Sequence, residues 1–139
     1  MAVCERLPQV VAKVHQDQRT SVVHQRINPQ GYPVASVELS AGSGTAHAPR
    51  IAAAGRDVWV VWQDERGQEP PHRPAIYLRH SDNAGRTFGP AVRLSNGTGR
   101  AIRPAIALLD AEHPVVAWAD TAAERSTCRC RWSASTPPR

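Results

Sequence analysis

Val58-Trp59-Val60-Val61-Trp62-Gln63-Asp64 is the stretch whose reading decides the fold. A continuous β-prone apolar run closed by two polar residues predicts a strand buried on both faces, because a strand with one wet face would alternate. Its second half, Val60-Val61-Trp62-Gln63-Asp64, recurs as Val116-Ala117-Trp118-Ala119-Asp120, with the tryptophans 56 residues apart. Upstream, His47-Ala48-Pro49-Arg50-Ile51 recurs as Ile102-Arg103-Pro104-Ala105-Ile106, the prolines 55 residues apart. Val37-Glu38-Leu39-Ser40 recurs as Val92-Arg93-Leu94-Ser95, again 55 apart. Val14-His15-Gln16-Asp17 reads as a further copy of Val61-Trp62-Gln63-Asp64, with His for Trp. Matches of this kind make an internal repeat.

Each repeat predicts strands. Ile51–Ala54 is a short apolar run stopped by the turn cluster Gly55-Arg56-Asp57, and the decisive run follows it. Ala75-Ile76-Tyr77-Leu78-Arg79 comes after a Pro- and charge-rich loop at 65–74, and Ala91-Val92-Arg93-Leu94 after a turn at 81–89. Four strands in about 55 residues, repeated, is the pattern of propeller blades. The expected fold is therefore all-β: an incomplete β-propeller of about two to two and a half four-stranded blades. The blades fall roughly at 9–40, 48–95 and 103–121, within a domain at 9–121. Residues 1–8 read as a lead-in and 122–139 as a basic, disordered tail.

Composition agrees with this and narrows the function. The chain has 139 residues, the size of one domain, with 12 Pro and 9 Gly, which favour short elements joined by turns. No run of about 18 apolar residues occurs, so no helical membrane span is expected. The formal net charge is +5, of which +4 lies in the last fifteen residues as Arg125, Arg129, Arg131 and Arg139. The body is nearly neutral and has no basic face interleaved with aromatic residues, so no nucleic-acid partner is expected. Cys4, Cys128 and Cys130 are odd in number and lack zinc spacing, and the six histidines show no ligand spacing; no metal and no cofactor are expected. Asn96-Gly97-Thr98 is a formal glycosylation sequon. Nothing in the chain fixes a compartment.

Ser81-Asp82-Asn83-Ala84-Gly85-Arg86-Thr87-Phe88 resembles the Asp-box, the repeat of bacterial neuraminidases written Ser/Thr-x-Asp-x-Gly-x-Thr-Trp/Phe. Ser81, Gly85, Thr87 and Phe88 match, and Asn83 stands where the family has Asp. The residue types suit a tight turn: short polar side chains hydrogen-bond its backbone, Gly85 permits a positive φ, and Phe88 tucks beneath it. The counterpart in the preceding unit, Arg26-Ile27-Asn28-Pro29-Gln30-Gly31-Tyr32, keeps only Asn and Gly. The resemblance implies sialidase-like blades over roughly 9–120, with the box as a folding element on the rim away from the central site. Family members are often secreted.

The resemblance also implies what an enzyme of this type needs: a triad of arginines clamping a carboxylate, a Tyr nucleophile paired with a Glu, and an Asp acid/base. Arginine suits the clamp because its fork meets a carboxylate bidentately. The family's first arginine lies in Arg-Ile-Pro, whereas this chain has Arg50-Ile51-Ala52 and Ile102-Arg103-Pro104. Arg50 and Arg103 are thus candidate ligand-facing residues, weighed against solvated strand-end arginines, and no catalytic residue is assignable. Tyr77 reads as a packing residue, and Trp62, Asp64, Trp118 and Asp120 as structural positions of the repeat. The expected function is a non-catalytic fragment, or an assembly or binding module for a glycan or protein, with self-association completing the ring. The alternative is an exo-sialidase-type glycoside hydrolase completed by blades outside this chain. The abrupt change of pattern after Ala122 is what a frameshifted or prematurely closed frame would give.

Overall fold

A computed structural model of the chain describes residues 9–41, 45–65, 73–95 and 99–120, together with the backbone of Thr127–Trp132. Ten strands follow in order: β1 (Gln9–Gln16), β2 (Arg19–Ile27), β3 (Pro33–Glu38), β4 (His47–Ala54), β5 (Asp57–Asp64), β6 (Ala75–Ser81), β7 (Val92–Arg93), β8 (Ala101–Asp110), β9 (His113–Asp120) and β10 (Thr127–Trp132). They make three open antiparallel sheets, each from a contiguous segment: β1-β2-β3, β4-β5-β6-β7 and β8-β9-β10. The described residues contain no helix.

The middle sheet lies between the other two, and β5 shows why its sequence does not alternate. Val58, Val60 and Trp62 pack with Val22, Leu39 and Ala46 from the first sheet and the loop after it. Trp59 and Val61, on the opposite face, pack with Ile76, Leu78 and Leu94 of their own sheet and with Ala101, Val116 and Trp118 of the third. All five residues from Val58 to Trp62 are at most 1% exposed. Full burial of side chains of this size contributes about 1.5–3 kcal/mol each. The central strands of the flanking sheets alternate instead. Thr20, Val22 and His24 of β2, and Pro114, Val116, Trp118 and Asp120 of β9, are buried, while the residues between them are half-buried. The Trp62 face looks towards the first sheet and the Trp118 face towards the middle sheet, so successive sheets present equivalent faces to the sheet before them.

The repeat is visible in hydrogen bonds as well as in letters. Leu39 N–H donates to Val22 O and Leu94 N–H to Ile76 O, both at 2.8 Å. The next residue in each copy, Ser40 or Ser95, accepts from the backbone N–H of Val22 (2.8 Å) or Ile76 (2.9 Å). A serine thus replaces a ladder partner where the fourth strand leaves the sheet, satisfying a buried donor. Ala46 N–H to Thr20 O (3.1 Å) and Ala101 N–H to Pro74 O (2.9 Å) then start the strands of the following sheets.

The two proline copies share a bulge. The β4–β5 register shifts between His47 and Arg50, and the β8–β9 register between Ile102 and Ala105. The residue before each proline is left-handed, Ala48 at φ 52° and Arg103 at φ 55°. Such a residue is unusual outside glycine, and its recurrence makes the bulge a built feature of the repeat.

Two expectations need correction. Val14-His15-Gln16-Asp17 is not the structural copy of Val61–Asp64. Lys13 pairs with Val22 as Gln63 pairs with Ile76, so Lys13 takes the place of Gln63. Asp17 and Gln18, at φ 48° and 64°, form the two-residue turn of the β1–β2 hairpin, and that turn sets the register. The tail expected to be disordered from 122 onward carries β10, paired with β9 from Thr127↔Asp120 to Trp132↔Val115. The free edge of β9 offers a row of backbone donors and acceptors, and pairing with it requires no apolar alternation. Residues 1–8, 121–126 and 133–139, and the sequon at 96–98, lie outside the described residues.

Removing either serine hydroxyl leaves a buried N–H unpaired, so Ser40→Ala and Ser95→Ala should each lower stability by about 1–3 kcal/mol. Ser36→Ala, at an exposed position of β3, should change it little. Urea denaturation of the three variants checks this; equal, small effects at all three positions would refute the role given to the serine bond.

Candidate functional site

Because β4, β6 and β8 start where β5 and β9 end, the sheets have two distinct ends. One carries the 81–88 turn with the β4–β5 and β8–β9 turns. The other carries the bulges with Arg50 and Arg103.

The 81–88 turn is closed by its own side chains. Ser81 Oγ accepts from the N–H groups of Asn83 (3.3 Å) and Gly85 (2.9 Å) and donates to Asn83 Oδ1 (2.8 Å). Asn83 Oδ1 also accepts from Thr87 N–H at 2.9 Å, while its amide donates to Thr87 Oγ1 at 2.6 Å. An asparagine thus both accepts from the backbone and donates to the threonine. Asn28 repeats part of this in the first sheet, its Oδ1 accepting from the N–H groups of Gln30 (3.1 Å) and Tyr32 (2.9 Å). Asn28 and Asn83 therefore each clamp the residue four positions on.

The turn is also a joint between sheets. Gly85 has φ 82° and lies against the His24 ring and Gln9 Oε1, so a Cβ there would overlap the imidazole. His24 is 1% exposed, meets the Phe88 ring edge-on with centroids 5.0 Å apart, and donates from Nε2 to Gln9 Oε1 at 2.5 Å. Burial, reinforced by the Arg26 charge, holds the His24 imidazole below its ordinary pKa. Arg79 clasps the same joint from β6, donating to Gly89 O (2.7 Å), Phe88 O (3.2 Å) and, across the interface, Leu39 O (3.1 Å). On the other side of the middle sheet, His80 stacks on Trp59 at 3.9 Å and bonds Asp57 Oδ1 at 2.7 Å. Trp59 Nε1 donates to Ala111 O at 3.0 Å in the β8–β9 turn.

At the bulge end the polar groups are engaged in structure. Asp64 is fully buried; its Oδ2 accepts from Trp62 Nε1 at 3.1 Å and its Oδ1 from Thr45 Oγ1 at 2.8 Å. Asp120 is buried at the equivalent position of β9, whereas the buried Nε1 of Trp118 has no partner among the described residues. The Trp-to-Asp bond therefore belongs to the middle sheet. Tyr77 stacks on Trp62 with centroids 6.2 Å apart. Arg50 is exposed, its Nη1 donating to the adjacent Pro49 O at 2.9 Å. Arg103 is exposed as well, and its backbone N–H donates to Gln63 Oε1 at 2.9 Å. Each arginine stands on a different strand, beside a proline. Among the described residues no cluster of His, Cys, Asp and Glu is arranged to hold a metal ion.

The sequence reading assigns no site role to His24, Arg79 or the Asp57–His80 pair. His24 alternates with Thr20 and Val22 on β2, and that periodicity was the available signal for its burial. Arg79 carried none, since its partners are carbonyls. No protein-family model, curated protein or solved structure matches this chain.

Gly31 and Gly85 both have positive φ, but a Cβ at Gly31 meets open space. Gly31→Ala should cost about 1–2 kcal/mol for its backbone conformation alone. Gly85→Ala should cost about 1–3 kcal/mol more, through the clash with His24. Denaturation midpoints of the two variants measure the difference, and equal losses would count against the joint.

Proposed function

We propose that this chain is part of a sialidase-like β-propeller that acts in assembly, or in binding a glycan or protein, without catalysis of its own. The observation that carries the reading is the repeated stacking of successive meanders through equivalent faces, with an Asp-box-like turn closing the joint between two of them. Blades of a propeller bury their faces only against neighbouring blades. The first and third sheets each keep one outer face, and those faces carry apolar residues: Val10 and Val14 at 41% exposure, and Leu109 at 67% beside exposed Ala105 and Ala107. A shallow hollow of about 260 Å³ opens on the outer face of the first sheet, between Val14, Val23, Arg19 and Glu38. Further copies of this chain, or further sheets, are the natural cover for both faces. A ligand would meet the bulge end, where Arg50 and Arg103 are exposed.

Three engagements support a non-catalytic role. Tyr77 is stacked on Trp62, Asp64 is held by Trp62 and Thr45, and Arg50 is turned onto its own backbone.

Light scattering behind size exclusion, with far-UV circular dichroism on the same peak, tests the assembly reading. The expected result is a discrete oligomer with a β spectrum; a well-folded monomer at high concentration would overturn it. A fluorogenic sialoside tests the rest. No turnover is expected, and turnover abolished by Arg50→Ala or Arg103→Ala would replace this proposal with the hydrolase reading.

A further inference from the structure

We propose that His24 makes the joint between the first sheet and the 81–88 turn pH-sensitive: a second proton on its imidazole parts the two and bares the apolar seam beneath. This inference is independent of the propeller reading. The ring has little room to take a charge. Nε2 already donates to Gln9 Oε1, a carbonyl oxygen that can only accept, so the added proton goes to Nδ1. The ring is 1% exposed, with Phe88 on one side and Gly85 against its edge. A charge there loses its hydration unless a carboxylate compensates it.

Among the described residues, the elements around His24 offer no such carboxylate at contact. From β1 come Gln9 and Val11, with Lys13 further along the same face. From β3 comes Val37, its register partner. Arg26 lies two residues on in β2, and Arg79 reaches from β6 to the carbonyls of Phe88, Gly89 and Leu39. The charged residues of the turn, Asp82 and Arg86, are exposed, and Asp57 of β5 is engaged by His80. The close charges are therefore cationic, and a second proton adds repulsion to desolvation.

The sign follows from linkage. The folded joint binds the second proton less readily than the parted one. Its stability is complete above the ordinary histidine pKa of about 6.5 and declines as pH falls below it, until the lower pKa of the closed joint is reached. Val22, Leu39, Val58, Val60 and Trp62 form the seam that opens.

Hydrogen exchange on the full chain at pH 7.5 and 5.0, corrected for intrinsic rates, tests the proposal. Amides of β1–β3 and of the 81–88 turn should lose protection by up to about tenfold per pH unit below about 6.5, while β8 and β9 keep theirs. His24→Gln should abolish the pH dependence. Gln9→Glu, which places a carboxylate on Nε2, raises the closed joint's affinity for the second proton and should shrink the loss of protection at pH 5.0, an effect that a purely structural histidine would not show. If His24→Gln fails to fold, the Gln9→Glu effect decides alone. Unchanged protection in the natural chain, a uniform loss across all three sheets, or a loss at pH 5.0 undiminished by Gln9→Glu would each overturn the proposal.

Discussion

Everything in this fold depends on β5 being dry on both faces. A strand that buries Val58, Val60 and Trp62 on one side and Trp59 and Val61 on the other cannot belong to a two-layer protein with solvent behind one sheet. It requires a sheet before it and a sheet after it. The chain supplies both from contiguous segments, and each flanking sheet needs only one apolar face to complete the contact. The alternation in β2 and β9 is the consequence, and so is the mixed character of their outer faces.

Side-chain hydrogen bonds then set the edges of this layered arrangement. Ser40 and Ser95 end their sheets by taking a backbone donor that the departing strand no longer serves. Asp64 gathers the Trp62 indole and Thr45 at the opposite end of the middle sheet. Arg79 spans the joint with the first sheet by collecting carbonyls from both sides. These are buried or half-buried polar groups with defined partners, and they hold the layers in one register while the apolar contacts supply most of the stabilisation.

How far the sequence could be read follows the same division. Period and apolar runs are properties of single segments, so the all-β class, the doubly buried β5 and the matches at 55 and 56 residues were legible. So were the residues of the 81–88 turn, whose bonds run within the turn itself. What escaped was whatever depends on a partner from another segment. The Lys13 register is set by a turn at Asp17 and Gln18, and neither residue is a glycine to mark it. β10 forms on the edge of β9 with no apolar pattern to announce it. The left-handed residues before Pro49 and Pro104 are an alanine and an arginine, neither of which signals that conformation. The candidate site divides in the same way: Arg50 and Arg103 could be picked out by residue type, while the contacts of His24 with Gly85 and Phe88 and of Arg79 with Leu39 exist only across the interface.

The contiguity of the sheets has a consequence for how the chain reaches this state. Each meander pairs strands that are neighbours in sequence, and each sheet stacks on the one made just before it, so every pairing and stacking step joins adjacent parts of the chain. A ribosome releases such a chain in the order in which it can assemble. The first sheet emerges with Val22 and Leu39 uncovered and stays so until β5 has been synthesised. The middle sheet must in turn wait with Trp59 and Val61 bare until Val116 and Trp118 arrive. The most aggregation-prone interval of this protein's life is therefore the synthesis of the residues between Trp59 and Trp118, when its most hydrophobic strand has been made and only one of its faces is sheltered.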